Sequence, residues 1–403
     1  MPNLDRQPQG LTRRDFFKVA GAAAAGAFLI PDIRRVLAKP ERQDFEPITC
    51  EIPPGTGFFA PAASPDGTKV IATIYGNGQW YGFGEFDLTK QSFRYVSPIG
   101  KDPVYTPDGR GYLAENQNNR SILFITADGL TTVFAENAQF PEVAGENISF
   151  IRETPTATLE LIELKNPNFE KLEQGLSLLA DEIQNKLGEN PKQVLADIAN
   201  RLEEPLESLR QRLPDIKITI PHFNFRDVIP DQIEELAGTR EVIELPYTPG
   251  SIRFYDWTPD GKIFGISTFP KGQPDQIQLF DEQGQNLGIL EVNGFNTDGV
   301  QYPAWSPNES RFAYVVTPDD GQDETWNTVI YKDDVYETTI PGIHDPVWLT
   351  NDVLIGKSPD NDLMIAYMTP TGYTLHQLSD RKYVSLNPTE QAGLTLEELS
   401  SKK

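Results

Sequence analysis

The 403-residue sequence predicts an all-β chain, a ring of six repeats of four short strands with one helical segment set into the third repeat. Three observations predict it. One pattern recurs as APAASPDGTKVIAT from Ala60, DPVYTPDGRGYLAE from Asp102, FYDWTPDGKIFGIS from Phe254 and YPAWSPNESRFAYV from Tyr302. The first two copies start 42 residues apart and the last two 48, and a second hairpin pattern follows each. Four strands every ~40–45 residues is the signature of a propeller blade.

In chain order, residues 1–38 come first. Thr12-Arg13-Arg14-Asp15-Phe16-Phe17-Lys18 precedes an apolar run, Val19–Ile30, of only twelve residues. A membrane-spanning helix needs about 20, whereas a charged start, a short apolar run and a small-residue exit make a signal peptide. Val36-Leu37-Ala38 offers that exit. The Arg13-Arg14 pair with Phe16, Phe17 and Lys18 resembles the twin-arginine export motif, which implies a cargo that crosses the membrane folded and works in the periplasm or outside the cell. The next strand, Phe45–Ile52, sits where it could close the ring against blade six, although blade six already has its own outer strand at Tyr373–Leu378.

Each blade then opens with a short apolar strand, a Ser/Thr-Pro-Asp/Asn turn and an alternating strand. Proline pre-sets the first corner of such a turn, Asp or Asn bonds back to the local backbone, and Gly accepts positive φ. Two degenerate copies, FPEVAGENISFIRE from Phe140 and DPVWLTNDVLIGK from Asp345, complete the series. With Pro61, Pro103, Pro141, Tyr255, Pro303 and Pro346 as one equivalent position, the spacings are 42, 38, 114, 48 and 43. The second hairpins are FGEFDLTKQSFRYV, ILFITADGLTTVF, IQLFDEQGQNLGILE, TVIYKDDVYETTI and MIAYMTPTGYTLHQL, each folded about a polar turn. These turns and the preceding P-A-W-like strand resemble the repeat of TolB-like, WD-repeat-like six-bladed propellers over roughly residues 45–386. The resemblance implies the fold and says little of function, because propellers host unrelated activities.

The long spacing locates an insertion. Thr158–Leu164 and Glu241–Tyr247 read as the outer hairpin of blade three, and removing the 76 residues Lys165–Arg240 between them reduces 114 to 38. The propeller is therefore expected over 45–164 and 241–386, with a tail at 387–403. Inside the insertion, Phe169, Leu172, Leu176, Leu179, Ile183 and Leu187 form one helical stripe, and Leu195, Ile198, Leu202, Leu206, Leu209 and Leu213 a second. The stripes either bury each other or present a groove to a partner protein.

Charge narrows the partners. Residues 1–38 hold 6 of the 35 basic and 3 of the 59 acidic side chains, so the remainder carries 29 and 56, a net charge of −27. Such a field repels nucleic acid and anionic membrane surfaces. Cys50, the single cysteine, precludes an intrachain disulfide.

Common catalytic constellations are absent. His222, His344 and His376 fall in separate units, without a His-x-His or Glu-x-x-His zinc pattern, a Gly-x-Ser-x-Gly elbow or a phosphate loop. Asp319–Glu324 is an acidic turn whose spacing does not fit a calcium loop, so no metal ligand is assigned. The positions just before the aligned residue enter the innermost strands. The nearer holds Ala60, Asp102, Phe140, Phe254, Tyr302 and Asp345, and the farther Phe59, Lys101, Gln139, Arg253, Gln301 and His344. Lys101, Asp102, Arg253, Tyr302, His344 and Asp345 are the candidate ligand residues, a mixture suited to a small polar ligand with an apolar face. They are expected on the rim opposite the Pro-Asp-Gly turns. The expectation is a non-catalytic binding propeller of unknown cofactor, and the alternative a lactonase-like hydrolase with a carboxylate-held divalent ion.

Overall fold

The computed structural model describes residues 46–116, 120–127, 129, 131–156, 158–165, 167–170, 239–248, 250–268, 276–290, 299–317, 326–333 and 335–383. Arg13, Arg14, Phe16 and Ala38, almost all of the insertion, the acidic turn at 319–324 and the tail at 387–403 lie outside them.

A strand β1 (Ile48–Ile52) precedes the ring. Blade one is β2 (Thr56–Ala63), β3 (Lys69–Gly76), β4 (Gln79–Asp87) and β5 (Ser92–Ser97). Blade two is β6 (Lys101–Tyr105), β7 (Gly111–Glu115), β8 (Ile122–Thr126) and β9 (Thr131–Ala135). Blade three is β10 (Ala138–Ala144), β11 (Asn147–Glu153), β12 (Leu159–Lys165) and β13 (Thr239–Leu245). Blade four is β14 (Ile252–Trp257), β15 (Ile263–Thr268), β16 (Gln276–Asp281) and β17 (Asn286–Ile289). Blade five is β18 (Gly299–Trp305), β19 (Arg311–Thr317), β20 (Asn327–Lys332) and β21 (Val335–Pro341). Blade six is β22 (His344–Thr350), β23 (Val353–Lys357), β24 (Leu363–Thr369) and β25 (Gly372–Gln377), and β26 (Ser379–Tyr383) follows it. Each blade is one antiparallel sheet in sequence order, so the protein is an all-β six-bladed propeller.

The Ser/Thr-Pro-Asp/Asn turns repeat atom for atom. In blade two, Thr106 Oγ1 donates to Asp108 Oδ1 at 2.7 Å and accepts from Gly111 N at 3.0 Å. Ser64 with Asp66 and Lys69, Thr258 with Asp260 and Ile263, and Ser306 with Asn308 and Arg311 make the same pair of bonds. The hydroxyl thus satisfies the first donor of the second strand while its partner carboxylate or amide closes the turn.

The core is divided among six blade interfaces. Ile71, Phe83, Tyr105 and Tyr112 pack blades one and two, and Ile266, Phe280 and Trp257 pack blade four on blade three. Middle strands are covered on both faces, which is why β7 and β8 are buried throughout and read as continuous apolar runs. The interface between blades six and one adds Ile48, Cys50 and Ile52 from β1.

The ring closure differs from the expected one. β1 does not join blade six; it pairs in parallel with β26, from Ile48↔Ser379 to Ile52↔Tyr383. Blade six keeps β25 as its outer strand, and the chain simply continues into a second strand for β1 to meet. Arg381 locks this clasp, bonding Asp362 of blade six at 2.6 Å and the Thr56 carbonyl of blade one at 3.1 Å.

β12 and β13 pair up to Lys165↔Thr239, so Lys165, Thr239 and Arg240, expected in the insertion, belong to the strands of blade three instead. The first residues after β12 fold back on blade two. Phe169 is buried between Phe124 and Phe134, with ring centroids 5.3 and 5.9 Å away, and Glu170 lies 3.7 Å from Arg110 of the turn after β6.

Candidate functional site: the central tunnel

The innermost strands share one irregularity. In β2, Phe59 pairs Thr73 and Ala62 pairs Ile71, so Ala60 and Pro61 face a single residue of β3. The same one-residue bulge occurs at Asp102-Pro103, Phe140-Pro141, Tyr302-Pro303 and Asp345-Pro346. Proline has no N–H for a ladder and is tolerated at such an unpaired place. The residue before it is left-handed in all five blades, with φ of 43° at Ala60, 48° at Asp102, 53° at Phe140 and Tyr302, and 52° at Asp345. That conformation costs a side-chain-bearing residue about 1–2 kcal/mol. Cross-blade bonds help hold it: Asp102 N donates to Thr73 Oγ1 at 2.8 Å and Tyr302 N to Ser267 Oγ at 3.1 Å. Blade four has Tyr255 instead of proline. With an N–H to offer, Tyr255 pairs Ile266, and the bulge moves one residue back.

These bulges turn six side chains toward the axis. Ala60, Asp102, Phe140, Phe254, Tyr302 and Asp345 all line a central cavity of about 550 Å³, within the roughly 300–1,000 Å³ range of small-molecule sites. The lining of blade one runs from Ala60 to Pro65, and Gly145, Pro259 and Pro307 of other turns also contribute. The cavity therefore reaches from the bulge ring to the turn face. The expectation that the ligand space lies on the rim opposite the turns is corrected.

The candidate residues divide into two groups. Asp102, Tyr302 and Asp345 line the cavity. Lys101 and His344 are not among the lining residues but lie beside Asp102 and Asp345, and the side chain of Arg253 on β14 lies outside the described residues. Lys101 Nζ sits 3.3 Å from Asp102 and 2.9 Å from Glu115, and 5.6 Å from the Trp80 ring. Lys357 Nζ lies 3.7 Å from Asp345 and 3.9 Å over the Phe59 ring. His344 is 2% exposed, with Nδ1 3.5 Å from Asp345 and Trp326 edge-on at 5.3 Å. Burial and the charge of Asp345 push the Asp102 carboxyl up, against the pull of Lys101. Burial also pushes on Asp345, but Lys357 and His344 hold its carboxyl below the ordinary range.

Two lining carboxylates were not anticipated from sequence. Glu142 on β10 and Asp256 on β14 follow Phe140 and Phe254 by two positions and enter the cavity from adjacent blades. Period-two alternation along a strand was the signal available, since an acidic residue in an apolar inner strand such as FYDW shares a face with Phe254. Asp256 accepts from Trp257 N at 2.8 Å and Trp305 N at 3.3 Å, tying β14 to β18. Burial nevertheless pushes its carboxyl up to about 7. Burial, then Asp256 and Asp102, push Glu142 well above the carboxylate range. Among the described residues, neither makes an ion pair. Nor do three His, Cys, Asp or Glu side chains among them converge as a group able to hold a metal ion.

No protein-family model matches the chain, and no curated protein matches it. Solved structures do. TolB from Acinetobacter baumannii is 12% identical with a TM-score of 0.44, over 73% of this chain and 58% of that one, so the match spans under two thirds of that relative. A TolB candidate from Agrobacterium tumefaciens is 13% identical with a TM-score of 0.43, over 80% and 90%. An oligogalacturonate lyase in complex with manganese is 11% identical with a TM-score of 0.43, over 85% and 84%. These similarities carry no ligand or activity to this chain.

Proposed function

We propose that this protein is an exported binding module that holds a small ligand in its central tunnel. One observation carries the reading. All six blades bend an inner strand out of register, five of them through a left-handed residue, and so turn a side chain into one cavity of about 550 Å³. Backbone strain repeated this way is maintained by the surrounding structure and clusters at ligand sites. Export rests on the Arg13-Arg14 motif and the apolar run after it.

The test is native mass spectrometry on protein recovered from the cell envelope, wild type beside Ala60→Tyr. Tyr302 shows that a tyrosine fits this backbone position, and at residue 60 its ring would fill the tunnel. A small-molecule adduct on the wild type that is missing from Ala60→Tyr supports the reading. No adduct on the wild type, or one retained by the plugged variant, counts against it. Replacing Arg13 and Arg14 with lysines should strand folded protein in the cytoplasm, and undiminished export would refute the twin-arginine route.

A further inference from the structure

The cavity holds four carboxylates, Asp102, Glu142, Asp256 and Asp345, from four different blades. Lys101 and Lys357 offset Asp102 and Asp345, which leaves Glu142 and Asp256 unbalanced among the described residues. A buried carboxylate without a counter-charge is costly, and either protonation or a bound cation removes the cost. On the other side the charge of Asp345 is offset by Lys357, with His344 beside it. Asp345 is 8% exposed, and its Oδ1 has no hydrogen-bond partner although it lines the space.

Around these carboxylates the wall is aromatic. Phe254 and Tyr302 pack with ring centroids 3.7 Å apart, and Tyr255, Trp257 and Trp305 line the same space. Ring faces attract cations when water is excluded. A neutral ligand would leave Glu142 and Asp256 unpaired, and an anion would meet four carboxylates with both nearby lysines already engaged. Among the described residues, a bare metal ion lacks the converging ligands it needs. The whole chain, at −24, adds a field that draws cations in.

Resting on the reading of the tunnel as a ligand site, we infer that its ligand is an organic cation. It is a protonated amine on an apolar stem, with the ammonium between Glu142 and Asp256 and the stem against the aromatic wall.

Calorimetry at pH 8 with 1,6-diaminohexane, 1,6-hexanediol and adipate tests this on the full-length protein, with Ala60→Tyr, Glu142→Gln and Asp256→Asn as variants. Other charged or phenolic groups in or beside the cavity are Asp102, Asp345, Lys101, Lys357 and Tyr255. A single pH keeps their states common to all three probes. The diamine should bind at least tenfold more tightly than the diol, with no detectable binding of adipate. Each carboxamide variant should weaken the diamine about tenfold or more, and Ala60→Tyr should abolish its binding. Both carboxamides are near-isosteric, so unchanged circular dichroism will show that the fold is intact. Diol or adipate binding as tightly as the diamine, and lost in Ala60→Tyr, would overturn the cation class while leaving the tunnel as a ligand site. Diamine affinity unchanged in both carboxamide variants, or no binding of any probe, would overturn the inference.

Discussion

The two walls of the tunnel solve the same problem differently. On the wall formed by blades six, one and two, Asp345 and Asp102 each have a lysine within 4 Å, and Ala60 stands between them. On the wall of blades three and four, Glu142 and Asp256 line the cavity together with aromatic side chains, with no ion pair among the described residues. The first wall is balanced in the absence of a ligand; the second is balanced only by protons or by something bound. The difference teaches that similar carboxylates in one ring can be structural on one side and receptive on the other, according to whether the fold supplies the counter-charge.

The largest effect should come from breaking the balanced wall. Lys357→Met strands Asp345 in a site where both groups are more than nine-tenths buried, and should cost about 3–5 kcal/mol in urea unfolding. A loss under 1 kcal/mol would show that Asp345 does not depend on this lysine.

On the unbalanced wall the sign should reverse. Asp256→Asn should be neutral or stabilising by about 1 kcal/mol at pH 8, since it removes a half-buried charge that has no counter-ion among the described residues and keeps an amide oxygen to accept from a backbone N–H. The pH dependence follows from the raised carboxyls. The unfolded chain ionises near pH 4, whereas Asp256 in the fold keeps its proton to about 7. Wild-type stability should therefore fall as pH rises from about 4 through about 7, and recover on acidification. Asp256→Asn should show a shallower fall in melting temperature over that interval, and an identical slope would refute the assignment.

Ala60→Asp sharpens the comparison by adding a carboxylate to the balanced wall without a further lysine, Lys101 being already shared by Asp102 and Glu115. It should cost about 1 kcal/mol at pH 8 at the reduced dielectric of such a site, and less at pH 5. The smallest effect belongs to the exposed clasp pair Glu51–Lys382, 3.0 Å apart. Lys382→Ala should change stability by no more than about 0.5 kcal/mol.

What could be read from sequence followed turn chemistry. Ser64-Pro65-Asp66-Gly67 and its relatives encode their hairpins locally, so four blades stood out, and the alignment of Pro141 and Pro346 supplied the other two. The hairpin carrying the insertion was legible because spacing is conserved around it. The clasp was not, because β1 and β26 meet only through the closed ring, and parallel pairing leaves no turn between them to recognise. The tunnel was half legible. Proline marks the bulge, so Asp102, Tyr302 and Asp345 were found one place before it. Glu142 and Asp256 lie beyond it, and their importance comes from what is missing around them, a property of the assembled ring.

The most direct measurement is infrared difference spectroscopy of the carboxyl C=O band at pH 6, where an ordinary Asp or Glu is ionised. A protonated-carboxyl band should be present in the wild type and fall most in Glu142→Gln. Asp345→Asn should leave it in place, and saturating 1,6-diaminohexane should diminish it. Absence of the band at pH 6, or its loss in Asp345→Asn with retention in Glu142→Gln, would contradict the division of the tunnel into a balanced and a receptive wall.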